Sequence, residues 1–247
     1  MQHAIGTTRF TRRAFVCGCC AALAGMRIVP SFAALGDDAA SAPLARDEAH
    51  HHVVMQNDLV RLMRVLIPPN AATGWHEHNF DYVVIAVNGT KIHVDVRGDP
   101  KAVEGTMETS SVGYVNYAGK HFVHRVGNTS DTLNHQLAFE ILYPSPGSFA
   151  PSDRSAASQY KMERDNDRVR VWRLKLAPGE VAELINQKGP AVRVILSGER
   201  LLETDSNGQV KEISTKSGDF TWLPGSSSRA VTNAGLAPLE LVEVELK

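Results

Sequence analysis

The residues that could do chemistry are concentrated in one short run, Gly74-Trp75-His76-Glu77-His78-Asn79-Phe80-Asp81-Tyr82, ahead of an apolar stretch that ends at Gly89. On a strand, residues two apart point to the same face, so His76 and His78 send two imidazoles into one interior. Downstream, Gly113-Tyr114-Val115-Asn116-Tyr117-Ala118-Gly119-Lys120-His121-Phe122-Val123-His124 places a third histidine after a turn, followed by Asn128. Imidazole nitrogen suits iron, copper, nickel or zinc, whereas magnesium and calcium take oxygen ligands. The chemistry on offer is that of one transition-metal ion.

The elements that must hold these side chains are short strands. Apolar residues alternate at Val60, Leu62 and Leu66, and again at Val169 and Val171. The runs Val83-Val84-Ile85-Ala86-Val87 and Val192-Arg193-Val194-Ile195-Leu196 are stopped by Gly89 and Gly198. The chain also repeats itself. Asn57, Arg64, Pro69 and Gly89 are matched by Asn166, Arg173, Pro178 and Gly198 at one constant offset, and Gly113, Asn128 and Glu140 by Gly218, Asn233 and Glu245 at a slightly shorter one. Constant register over so many positions predicts two duplicated all-β units. Runs rich in Ala, Asp, Ser and Pro mark linkers at residues 34–47 and 146–160, which leaves units at 48–145 and 161–247.

The two histidine-bearing segments resemble the two conserved motifs of the cupin superfamily. The first is H-x-H-x(3,4)-E-x(6)-G: His76, His78 and Gly89 fill it, and Tyr82 stands in the glutamate slot. The second runs from Gly through Pro and Gly to His and Asn. Gly113, His124 and Asn128 match it, with Gly119 where Pro is usual and His121 where Gly is usual. The resemblance runs from about Val53 to the C-terminus. It implies a bicupin, two double-stranded β-helix (jelly-roll) barrels in tandem, with His76, His78 and His124 as ligands of one divalent metal, iron ahead of manganese, nickel, copper or zinc. The second unit keeps Gly218, Asp219, Pro224 and Asn233, but Ile185 and Gln187 occupy its histidine slots and Arg229 replaces the third histidine. That half is a structural partner barrel or, alternatively, an anion pocket built on Arg229.

Without the glutamate, three neutral imidazoles leave the ion its full charge and leave coordination positions open, which favours an anionic or chelating substrate. In this the site is similar to the three-histidine cupin dioxygenases that cleave β-diketones or oxidise thiols. Tyr82 is the candidate catalytic residue, orienting substrate through its hydroxyl, or else an aromatic filling the volume of the lost glutamate. Asp81 reaches the metal only through a bulge. His121 belongs at the mouth or in a loop, or else supports a ligand from behind; His93 and His135 can lie on either face; and His50-His51-His52 reads as a solvated strand start, or else as a run that scavenges metal. Trp75, Tyr114, Tyr117 and Phe139 are candidate pocket walls, with core packing the expected role for most of them.

The remaining features bound the setting. Thr11-Arg12-Arg13-Ala14-Phe15, a short apolar stretch and the small residues before Ala33 read as a twin-arginine export signal over residues 1–33. The apolar stretch is too short for an uncleaved anchor, which needs about 20 residues. Cys17, Cys19 and Cys20 all lie in it, so the mature chain would carry no thiol. With 26 basic and 27 acidic residues, the net charge of -1 gives no drive towards nucleic acid or an anionic membrane. The expectation is a periplasmic or secreted metal-dependent oxidoreductase, a dioxygenase acting on a small anionic or chelating molecule, with no stable membrane insertion after cleavage; a homo-oligomer is compatible with it. The alternatives are a redox-neutral lyase or isomerase, and a non-catalytic protein that binds metal or a small molecule.

Overall fold

A computed structural model describes residues 41–144 and 147–247. The segment read as an export signal, its three cysteines and the first half of the first linker lie outside the described residues. Strands β1 (His51–Gln56), β2 (Val60–Ile67), β3 (His76–His78), β4 (Asp81–Asn88), β5 (Lys91–Val96), β6 (Val103–Thr106), β7 (Val112–Val115), β8 (Phe122–Asn128) and β9 (Asn134–Ile141) form the first half. They make a 5-stranded sheet ordered β1-β2-β9-β4-β7 facing a 4-stranded sheet ordered β3-β8-β5-β6. The second half repeats this with β10 (Tyr160–Asp165), β11 (Val169–Leu176), β12 (Val181–Gln187), β13 (Ala191–Ser197), β14 (Arg200–Asp205), β15 (Val210–Ser214), β16 (Phe220–Leu223), β17 (Ser227–Asn233) and β18 (Leu239–Leu246). Its sheets are ordered β10-β11-β18-β13-β16 and β12-β17-β14-β15, the same path strand for strand. The expected pair of all-β jelly-roll barrels is the observed architecture.

The duplication extends to details that sequence offset alone suggested. Asn57 Oδ1 accepts from the backbone N–H groups of Leu59 and Val60, and Asn166 Oδ1 from those of Arg168 and Val169, closing the same turn twice. Asn128 Nδ2 donates to the carbonyls of Ile67 (3.0 Å) and Thr132 (2.7 Å); Asn233 Nδ2 donates to those of Leu176 (3.0 Å) and Ala237 (2.9 Å). A bulge between Val53 and Met55 recurs between Met162 and Arg164. These asparagines tie one sheet of each barrel to the other, because a buried carbonyl left unpaired costs free energy.

The two 5-stranded sheets pack on each other. Val60, Leu62, Val83, Ile85, Leu137 and Phe139 of the first meet Val169, Val171, Val192, Val194, Val242 and Val244 of the second in one shared core. Strand β2 is therefore buried on both faces, Val60 and Leu62 towards the partner barrel and Met63, Val65 and Ile67 towards its own interior. The matched arginines cross the contact in both directions: Arg64 donates to Gly218 O and Arg173 to Ser110 O. Gly218 (φ 84°) has a second reason to be glycine, since a Cβ there would lie 2.5 Å from the His135 ring.

Both composition-based linkers are more deeply built in than expected. Ala45 is fully buried, and Pro43 O accepts from Glu77 N–H, so the chain joins the first barrel before residue 48. Arg154 lies in a short 3-10 turn (Arg154–Ala156) with its guanidinium wholly inside the second barrel. Polar composition marks a segment that connects; it does not show whether one of its side chains is swallowed by ion pairing.

Candidate metal centre

Strand β3 is three residues long and pairs with β8 so that His76 stands directly opposite His124. Directly opposed residues project on the same face, and His78 shares that face two residues on. The three rings form a nearly equilateral triangle, with centroid separations of 4.6 Å (His76–His124), 5.0 Å (His76–His78) and 4.9 Å (His78–His124). One nitrogen from each lies within 4.8 Å of the others, the one such group among the described residues. His76 and His78 are each 1% exposed.

The nitrogens are presented as a metal requires. His76 Nδ1 donates to Gly74 O at 2.9 Å, which leaves Nε2 with its lone pair. His78 Nε2 and His124 Nε2 face each other at 3.0 Å. Two ligands at right angles on one ion, each about 2.0–2.1 Å from it, stand roughly 3 Å apart. Burial, reinforced by the neighbouring His51, pulls the His76 pKa down to about 4, and burial with the adjacent histidines holds His78 and His124 well below the ordinary range. All three are neutral at pH 7, the protonation state that binds a cation. His78 Nδ1 is buried without a hydrogen-bond partner among the described residues. The ring is held by packing instead: Tyr117 stacks on it at 5.0 Å and Tyr82 meets it edge-on at 4.5 Å. The donor set fits a divalent transition-metal ion.

Behind the triangle lies an acid–histidine pair that sequence reading passed over. Of the run His50-His51-His52, expected to be a solvated strand start, His51 turns inward and is buried. Its ring centroid is 4.7 Å from that of His76, and its Nδ1 donates to Glu48 Oε2 at 2.6 Å. Glu48 Oε1 accepts from Gly74 N–H at 3.0 Å, so one carboxylate braces both His51 and the turn that orients His76. Burial alone would raise the Glu48 carboxyl, but hydrogen bonds from His51, His50 and Gly74 outweigh it and hold it well below the usual range. The signal in the sequence was Glu48 three residues before His51, with alternation turning His51 away from its neighbours.

The three histidines line one end of a cavity of about 510 Å³ between the two sheets of the first barrel. Tyr82 lines it as well, so position 82 does face the same interior as the histidines. Burial, with Glu140 nearby, raises the Tyr82 pKa, and the phenol keeps its proton. Asp81 points the other way, within 3.3 Å of Arg168 in the second half and accepting from Ala118 N–H, and no bulge brings it back. His121 is exposed, in the left-handed region (φ 49°) where the resembled motif has glycine, and pairs with Glu77 at 2.6 Å; it does not line the cavity. His93 is on the outer face of the 4-stranded sheet with Glu104 and Asp95, and His135 abuts Gly218 at the barrel contact. Of the candidate walls only Tyr117 lines the cavity. Trp75 lies under Arg97 and Arg125, while Tyr114 and Phe139 pack in or against the inter-barrel core.

In the second barrel Ile185 pairs with Arg229 in the register that His76 and His124 share in the first. Arg229 donates to Gln187 Oε1 (2.6 Å) and Glu243 Oε1 (3.1 Å), so its charge is already engaged and the alternative of an anion pocket built on it falls away.

No protein-family model and no curated protein matches the sequence. Solved structures do match over most of the chain at low identity. A cupin 2 conserved barrel domain protein from Leptotrichia buccalis is 10% identical, over 81% of this chain and 89% of its own, with a TM-score of 0.51. The salicylate 1,2-dioxygenase of Pseudaminobacter salicylatoxidans is 13% identical, over 76% and 71%, at 0.53. The oxalate decarboxylase of Bacillus subtilis, which has Mn(II) centres, is 12% identical, over 85% and 78%, at 0.53. What these proteins share with this chain is the fold.

Proposed function

From a chain that folds as two cupin barrels, we propose that the first is the site of a metal-dependent oxidoreductase, a dioxygenase acting on a small anionic or chelating molecule, and that the second is its structural partner. The observation that carries this is the convergence of three neutral imidazoles at the end of a large cavity. His76, His78 and His124 would hold one divalent ion, iron first. Such an ion supplies Lewis acidity towards a chelating oxygen and, where redox-active, reactivity with dioxygen.

The protein's own part is positional. Glu48 and Gly74 set the His76 ring, and Tyr117 and Tyr82 clamp His78. Tyr82, kept protonated by burial, donates a hydrogen bond to an oxygen of the bound substrate. The apolar walls exclude bulk water, which strengthens each of these interactions.

Elemental analysis of the purified chain, read with oxygen uptake on a panel of diketones, thiols and phenols, tests the reading. Close to one ion per chain and stoichiometric oxygen uptake are expected. Turnover without oxygen would favour a redox-neutral lyase or isomerase. A metal that exchanges freely with no turnover would favour a binding protein. The twin-arginine segment supports action outside the cytoplasm: replacing Arg12 and Arg13 with Lys should leave the precursor inside.

A further inference from the structure

The lining of the cavity speaks to what enters it. On β5, alternation turns Ile92, Val94 and Val96 inward, and Val103, Phe122 and Val126 complete that wall. The charged residues of the same strand, His93 and Asp95, face outward and are satisfied there by Glu104 and Arg125. No lysine or arginine lines the cavity among the described residues, and its one carboxylate, Asp99, is at the exposed rim. The nearby cation Arg61 is engaged with Glu140 and Gln56. Two polar groups on the wall are engaged with the protein: Thr73 Oγ1 accepts from Val126 N–H at 2.9 Å, and Gln136 Nε2 donates to Asn134 Oδ1 at 2.7 Å.

The fold does not require this. In the second barrel the residues in the register of Val94 and Val96 are Glu203 and Asp205, opposite Val231 and Arg229 as Val94 and Val96 are opposite Val126 and His124. A charged inward face is therefore compatible with the architecture, and the first barrel has an apolar one.

An ionised group placed anywhere but at the histidine end would lose its water and meet no counter-charge, a cost of several kcal/mol. A cavity of about 510 Å³ is also in the range that encloses a drug-sized ligand rather than a two-carbon acid. Resting on the metal-site reading above, we infer that the substrate is a molecule with a single oxygen-chelating head and an uncharged apolar body, alkyl or aryl, and not a dianion.

Calorimetric titration of the zinc-loaded protein with straight-chain alkyl hydroxamates, from acetyl to octanoyl, tests this. Affinity should rise about three- to fourfold per added methylene until the cavity is filled, the gain that burial of a CH₂ brings. Succinate, with its second carboxylate, should bind no tighter than acetate. Affinity that stays flat along the series, tighter binding of succinate, or no binding at all would overturn the inference. The same series on the His76→Ala/His78→Ala/His124→Ala protein separates it from the metal reading. Loss of the head's contribution with the chain-length slope retained upholds both. A slope with identical affinities in the two proteins upholds the apolar body and sinks the metal site. A histidine-dependent head with no slope upholds the metal site and sinks the inference.

Discussion

The two barrels follow one path and fill their centres in opposite ways. In the first, three uncharged imidazoles with free lone pairs surround a point that a cation from outside would occupy, and the wall beyond them is aliphatic. In the second, the chain supplies its own cations. Arg154 donates to Glu243 Oε2 (2.8 Å) and Gln187 Oε1 (2.9 Å), and Arg193 donates to Glu243 Oε1 (2.8 Å) and Glu203 Oε1 (2.7 Å). Arg229, in the place of His124, joins the same carboxylate. Burial would raise Glu243, but Arg154, Arg229 and Arg193 outweigh it and hold it well below the carboxylate range. A barrel centre of this shape tolerates buried charges when cations and carboxylates are brought together. One half leaves that match to a ligand, and the other makes it permanent.

The largest effect should come from emptying the first centre. The triple variant His76→Ala/His78→Ala/His124→Ala should fall from near one transition-metal ion per chain to none, measured by mass spectrometry of the metal, while circular dichroism still reports a folded β protein. Arg229→Ala should leave metal content unchanged. Metal retained in the first variant, or lost in the second, would reverse the roles given to the two barrels.

Breaking the second centre should cost stability instead. Arg154→Ala leaves Glu243 and Gln187 short of a buried donor, and loss of one partner from such a cluster costs about 3–5 kcal/mol. Chemical denaturation should show that loss, with metal per folded chain unaltered.

Acidification should separate the halves further. The His76 pKa is lower folded, at about 4, than the 6.5 of the free side chain. Between those values the unfolded chain binds the extra proton, so stability is full above pH 6.5 and falls as the pH drops towards 4, by about 3 kcal/mol for this group. Denaturation of metal-free protein across that window should show the decline; His76→Ala should make it shallower, and the part that remains belongs to His78 and His124, which are lowered too. Glu243 is also depressed, so its contribution is present above the ordinary carboxylate range and is lost only below it.

The smallest effect concerns Tyr82. Tyr82→Phe keeps the ring against His78 and removes the hydroxyl. If the hydroxyl orients substrate, kcat/KM should fall by the worth of one hydrogen bond, on the order of 1 kcal/mol. If the ring only packs, the change is silent. Tyr82→Glu restores the usual cupin glutamate, and should raise metal retention while lowering turnover of an anionic substrate.

What could be read without coordinates was local or repeated. His76 and His78 share a face because strands alternate, and the paired asparagines Asn57/Asn166 and Asn128/Asn233 reappear in identical bonds because a duplicated backbone offers the same orphan groups twice. The triangle with His124 was legible through motif spacing. What could not be read depends on which surfaces meet. Alternation along β2 and β9 marks two apolar faces without saying that one belongs to the barrel interior and the other to its neighbour, so the sequence leaves Phe139 between pocket wall and core, and the packing of the sheets puts it in the inter-barrel core. His51 and Arg154 come from segments whose composition looks solvated, and each is buried by a carboxylate close or distant in sequence, Glu48 in one case and Glu243 in the other. Spacing on one chain thus determined the metal-ligand pattern and the double fold. Pairing between strands far apart decided which other side chains are near it, because those contacts exist only once the sheets have closed on each other.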